Sequence, residues 1–219
     1  MSHFVPQLIN LFATLILLLS FAMLAQRRIV SLINLFMIQG AALAAASFLL
    51  GYVTGHPDLY VSGGLTLLLK VVLIPWMLHR MIRKLNVRWD VEMLLNIPTT
   101  MLVGIALVIF AFSLALPISR LSDAVAGGAL GIALACVMLS FMMMITRSKA
   151  VPQVIGFLSM ENGLLFAATT VTNGMPMIVE FGIALDVLVG VLILGVFMFQ
   201  IREKFDSLDI RHLESLKDD

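Results

Sequence analysis

Three ionisable side chains sit in the middle of long apolar runs: Lys70, Glu161 and Asp186. Each costs roughly 2.5–3.5 kcal/mol at the centre of a membrane helix. A group that expensive persists where it faces a bundle interior or water and does a job. The chemistry open to one lysine and two carboxylates is proton or cation transfer. Low dielectric disfavours the ionised form of a carboxyl, and a neighbouring ammonium favours it. Moving the ammonium toward or away therefore gates a proton. Glu161, Asp186 and Lys70 are the expected relay groups. Three secondary candidates accompany them. Gln39 is a mid-span polar group that lines a wet path or bonds between helices. Glu180 lies near the outer end of its run, as an entrance or exit group. His79 lies at the cytoplasmic end of its run. Pro75 frees the carbonyl around Val71 from its usual hydrogen bond and so loosens the helix one turn from Lys70. The competing reading of the charges is an ion pair that only fixes packing.

The elements that position these groups follow from composition. The chain has 219 residues, 61% apolar and 12% charged, with mean hydropathy +1.06. A soluble domain is about 45–50% apolar and about 25% charged. Too few polar side chains remain to cover a wetted surface, which excludes a soluble enzyme and a disordered chain. The net charge of +1 gives no reason to expect nucleic acid. The single cysteine, Cys136, cannot build a disulfide, a cluster or a structural zinc site within the chain. The four histidines show no metal-ligand spacing, so no metal or cofactor is expected in this chain. The fifteen methionines read as adaptable core filler.

A spanning helix needs about 20 mostly apolar residues. Seven such runs occur, at about 4–25, 29–54, 60–80, 94–116, 124–146, 152–172 and 177–200. The expected fold is an all-α integral membrane protein of about seven spans in one domain, residues 1–219. Twelve of the fourteen Lys and Arg fall in alternate connections and the tail: Arg27, Arg28, Arg80, Arg83, Lys84, Arg88, Arg147, Lys149, Arg202, Lys204, Arg211 and Lys217. The positive-inside rule places these in the cytoplasm, with the N-terminus outside and the C-terminus inside. Gly127, Gly128 and Gly131 are expected to permit close helix contact.

The second and sixth spans read alike. An offset of 122 superposes Ile33 on Ile155, Gln39 on Glu161 and Leu43 on Leu165. Residues 1–90 are thus a candidate degenerate copy of 124–219, with 91–123 as a linking fourth span. Gln39 would then be the neutral counterpart of Glu161.

Arg147-Ser148-Lys149 followed by Ile155-Gly156-Phe157-Leu158-Ser159-Met160-Glu161-Asn162 resembles the second span of the small three-helix K subunit of complex I. The matching antiporter C subunits share that pattern. The resemblance covers about 124–219 and implies that Glu161 and Asp186 belong to a membrane proton path. The sequence departs from the pattern in having Asp at the second acidic position, closer to the first acid. Over its whole length, with Lys70 five residues before Pro75 and Met160-Glu161-Asn162-Gly163, the chain resembles hydrogenase-4 component E. That resemblance implies a non-catalytic subunit of a complex I-related, group 4 nickel–iron hydrogenase or formate hydrogenlyase-type complex in the prokaryotic inner membrane. The nickel–iron centre and iron–sulfur clusters would lie in partner subunits. The partners would be antiporter-like and H-subunit-like membrane chains, cytoplasmic hydrogenase subunits and the lipid bilayer. Three other readings compete: a subunit of a multisubunit cation/proton antiporter, a stand-alone transporter or receptor, and a passive scaffold of the same complex.

Overall fold

The computed structural model describes residues 4–85, 96–119 and 124–172, and the isolated positions 188 and 190. Seven α-helices occupy this part: α1 Phe4–Ala25, α2 Ile29–Thr54, α3 Pro57–Thr66, α4 Ile74–Leu85, α5 Ile97–Ser119, α6 Ala124–Thr146 and α7 Ala150–Thr172. Helices α3 and α4 are one rod, joined by a π-helical stretch at Leu67–Leu73. Among the described residues six helices are therefore long and apolar enough to cross a membrane. No β-strand occurs among the described residues. The run expected at 177–200, with Glu180 and Asp186, lies outside the described residues.

The third span starts earlier than the apolar run suggested. Pro57 is the first helical residue after His56, a position where the missing N–H is not needed. The preceding helix stops at Gly55, whose φ of 70° puts it in the left-handed region that favours glycine. The fourth span likewise continues through Pro117 into the last turn of α5.

Helices α1, α2, α3, α4, α6 and α7 share one interior. Met23, Leu24, Ile33, Phe36, Ile74, Leu78, Leu139, Ile155 and Leu158 form one half of it, and Ile16, Leu43, Leu59, Cys136 and Phe166 the other. Helices α6 and α7 lie closest together. A Cβ on Gly163 would stand 2.8 Å from Cys136 Cβ, so no larger residue fits there without a shift. The glycines of α6 divide: Gly131 lies tight against Phe112, whereas Gly128 faces open space, contrary to the expectation of contact. Helix α5 is peripheral. Leu102, Ile105, Ile109, Phe110 and Leu116 are each at least half exposed, the surface expected of a helix facing acyl chains.

Candidate functional site

The spacing of the third span explains its wide turn. Its buried positions run Leu59, Ser62, Gly63, Thr66, Lys70, Ile74, Pro75, Leu78 and Ile82. From Thr66 onward, Pro75 apart, they recur every fourth residue. An α-helix turns about 100° per residue, so each step of four overshoots the stripe by about 40°. The π-helical stretch, with its wider i→i+5 bonding, absorbs that overshoot between Thr66 and Ile74. The Ile74 N–H accordingly bonds back to the Leu69 carbonyl. Pro75 follows at once, with no N–H to offer the Val71 carbonyl. The loosening expected beside Lys70 is thus a defined turn centred on it.

That turn carries Lys70 into the bundle. Its Nζ lies 3.3 Å from Glu161 Oε1 on α7, and neither side chain is more than 2% exposed. Two of the three mid-span charges read from the sequence therefore meet as a buried ion pair. The backbone comes close because position 40 on α2 is glycine. A Cβ there would be 3.1 Å from Lys70 Cβ.

The residues flanking this pair in α2 and α7 build a polar layer. Gln39 Nε2 donates to Ser20 Oγ at 2.7 Å, to Ser159 Oγ at 3.1 Å and weakly to the Ile16 carbonyl at 3.4 Å. Its Oε1 accepts from Asn162 Nδ2 at 3.1 Å. Ser140 Oγ donates to Ser159 Oγ at 3.1 Å. Gln39 thus ties α1 and α2 to α7, and Ser140 adds α6. All five side chains are buried. Gln39 touches the residue after Glu161 and the one two before it, so it braces the carboxylate's helix. Gln39→Leu is expected to cost about 1–3 kcal/mol, because the Asn162 amide loses its buried acceptor. Equilibrium unfolding in lipid nanodiscs measures this. No loss would show that the layer contributes only shape.

His79 is placed elsewhere. Its Nδ1 donates to the Pro75 carbonyl at 2.8 Å on its own helix, and its side chain is half-buried. That bond satisfies a carbonyl in the turn after the π stretch. Among the described residues no three His, Cys, Asp or Glu side chains gather into a metal-binding group.

The sequence reading missed Ser20, Ser140, Ser159 and Asn162. It also took Arg147 for a loop residue that sets topology. Instead Arg147 is 1% exposed. Its Nη2 donates to the Leu24 carbonyl at 2.7 Å and the Met23 carbonyl at 3.3 Å, capping the end of α1. Gln153 Nε2 donates to the Arg147 carbonyl at 2.8 Å. Burial lowers the Arg147 pKa to about 10, so the guanidinium remains a cation at neutral pH. A cation at the carbonyl end of a helix also complements its dipole.

No family model matches the chain, and no solved structure matches it. It is similar to the uncharacterized protein Rv0085 of Mycobacterium tuberculosis, with 33% identity over 194 residues, 88% of each chain. The shared stretch is too long to reflect one apolar helix matching another by composition, and the chain belongs to the same family as that mycobacterial protein.

Proposed function

We propose that this chain is a non-catalytic membrane subunit that couples redox chemistry in a complex I-related hydrogenase to proton or cation movement. The observation that carries the reading is the buried Lys70–Glu161 pair, held at a π-helical turn in the membrane-spanning region. A packing contact is served as well by apolar side chains, and a buried pair is rarely the more stable choice. Wide turns inside helices recur at functional sites. Glu161 is the protonatable relay group and Lys70 the charge that modulates it, with Asp186 on the seventh span as the next relay and Glu180 near its outer end. The span count of seven, the outward N-terminus and the cytoplasmic C-terminus belong to this proposal. So do the inner-membrane location, the antiporter-like and H-subunit-like partners, and nickel–iron and iron–sulfur centres held by other subunits. The redox partner comes from the resemblance of 155–163 and of Lys70 with Pro75 to hydrogenase-4 component E.

Glu161→Gln keeps the side chain's size and removes its titration. In the assembled complex it is expected to lower substrate-driven proton translocation roughly tenfold or more. The Gln carbonyl still accepts from the Lys70 ammonium, so subunit recovery after mild-detergent purification should fall far less than translocation. Proton uptake by inverted vesicles is the measurement. Normal translocation by an assembled Gln variant would sink the relay role. Mass spectrometry of the co-purifying chains tests the partners: antiporter subunits without hydrogenase subunits would replace the redox reading with the antiporter one.

A further inference from the structure

The wide turn of the third span has boundaries that the relay reading does not explain. A π-helical turn holds about one residue more than an α-helix of the same length. At its start the Leu67 N–H bonds back to the Gly63 and Gly64 carbonyls, and at its end the Ile74 N–H reaches Leu69. We infer that Gly40 and Pro75 are positioning residues for Lys70: they hold this one-residue surplus at the lysine, and its location sets whether the ammonium faces Glu161. The inference rests on the relay reading only for what the movement accomplishes.

Pro75 fixes one side. It has no N–H for the Val71 carbonyl, so the ladder is already open where the surplus ends. Moving the surplus past Pro75 would break intact bonds of α4. Gly40 fixes the seat. Its missing side chain admits the Lys70 backbone against α2, with 3.1 Å to a Cβ built there. The other direction is open on its outer face: Gly64 has nothing within 4 Å of a built Cβ, whereas Gly63 lies against Phe48. On the turn's outer face Leu67, Leu68, Val72 and Leu73 are 40–58% exposed, so rotation there displaces acyl chains rather than packed neighbours. Moving the surplus one turn toward Gly63 and Gly64 puts Lys70 in plain α-helical register with Ile74, about 40° off the buried stripe. The ammonium leaves α7, while Leu59 on one side and Ile74 and Leu78 on the other keep their places in the core.

The test uses the full chain in lipid bilayers, labelled with 15N-lysine and 13C-glutamate. Solid-state NMR reads the dipolar contact between Lys70 Nζ and Glu161 Cδ, assigned by its loss in Lys70→Met. Deleting the exposed Leu68 removes the surplus and leaves α3 and α4 seated. This deletion is expected to accumulate in the membrane as the wild type does. Its Lys70–Glu161 contact should fall to about a tenth or less, the population of a minor conformer. Deleting Ile38, equally exposed on α2 but without a wide turn, should prevent accumulation. Pro75→Ala restores a donor for the Val71 carbonyl and should weaken the contact in the same direction. The inference is overturned if the Leu68 deletion fails to accumulate as the Ile38 deletion does, or accumulates with the contact intact. An unchanged contact in Pro75→Ala would remove Pro75 from its role. If the contact is lost and translocation continues, the register device stands and the relay reading fails. If Glu161→Gln stops translocation while the Leu68 deletion keeps the contact, the relay stands and the device fails.

Discussion

Lys70→Met is expected to destabilise the protein by about 3–5 kcal/mol, and Glu161→Leu by a similar amount, because each leaves a buried charge without its counter-charge. The double variant is expected to recover most of that loss. Desolvating both ions costs several kcal/mol apiece, and their attraction at 3.3 Å repays that cost only when both are present. Apolar replacements of similar volume carry no such cost, so the pair can be exchanged with little net change. Equilibrium unfolding of the four proteins in one lipid environment gives the coupling energy directly. Additive losses would show that the two charges do not act on each other. The cycle also separates stability from function. Under the relay reading, the double variant is as stable as the wild type and does not translocate protons. Translocation by that stable double variant would leave the pair with a packing role alone.

Much of this site was legible because membrane charges are conspicuous. Lys70 and Glu161 stand out in apolar runs, and each was singled out by its cost alone. Their partnership was not legible, since it depends on which face α3, α4 and α7 turn toward one another. Two of the helix ends that differ from the apolar runs do so at prolines, Pro57 and Pro117. Pro57 reads as a breaker, yet it sits at a first helical position, where a missing N–H matters least. The loosening at Pro75 was readable from its lost hydrogen bond. Its form as a wide turn was hidden in the four-residue spacing from Thr66 to Ile82, which signals a helix that must turn more slowly than α.

The polar layer illustrates a different limit. Ser20, Ser140 and Ser159 resemble the small residues common in any spanning helix, and singly they carry no signal. They acquire meaning through Gln39, whose amide has several capacities to satisfy and no water to satisfy them. A buried amide of this kind selects a single arrangement of its helices, because any slip leaves donors unmet. The layer meets the Lys70–Glu161 pair through Gly40 beside Gln39 and through Asn162 beside Glu161. The same two helices therefore fix the carboxylate on one side and leave the lysine's turn facing acyl chains on the other. Rigidity under Glu161 and slack under Lys70 is the arrangement a gated proton carrier requires.

Arg147→Met is expected to cost about 1–3 kcal/mol for each α1 carbonyl left buried without a donor, and to leave membrane orientation unchanged. The two halves of this expectation distinguish two roles. As a topological signal, Arg147 is one of many. Arg27, Arg28, Lys149 and the other basic residues of the same set of connections would hold the orientation without it. As a cap it has no substitute within its turn. Its guanidinium reaches both the Met23 and Leu24 carbonyls from the connection between α6 and α7. Arg147→Lys should recover part of the loss, since an ammonium keeps the charge at the helix end but lacks the planar fork that serves two acceptors. Unfolding measurements on the Met and Lys variants, with a reporter fused at either terminus, test both halves. Hydrogen exchange at the end of α1 should rise in the Met variant and less in the Lys variant. An inverted Met variant of unchanged stability would return Arg147 to the topological role its place in the sequence suggested. A stable loss of the cap with orientation intact would make it the residue that fastens α1 to the hairpin carrying Glu161.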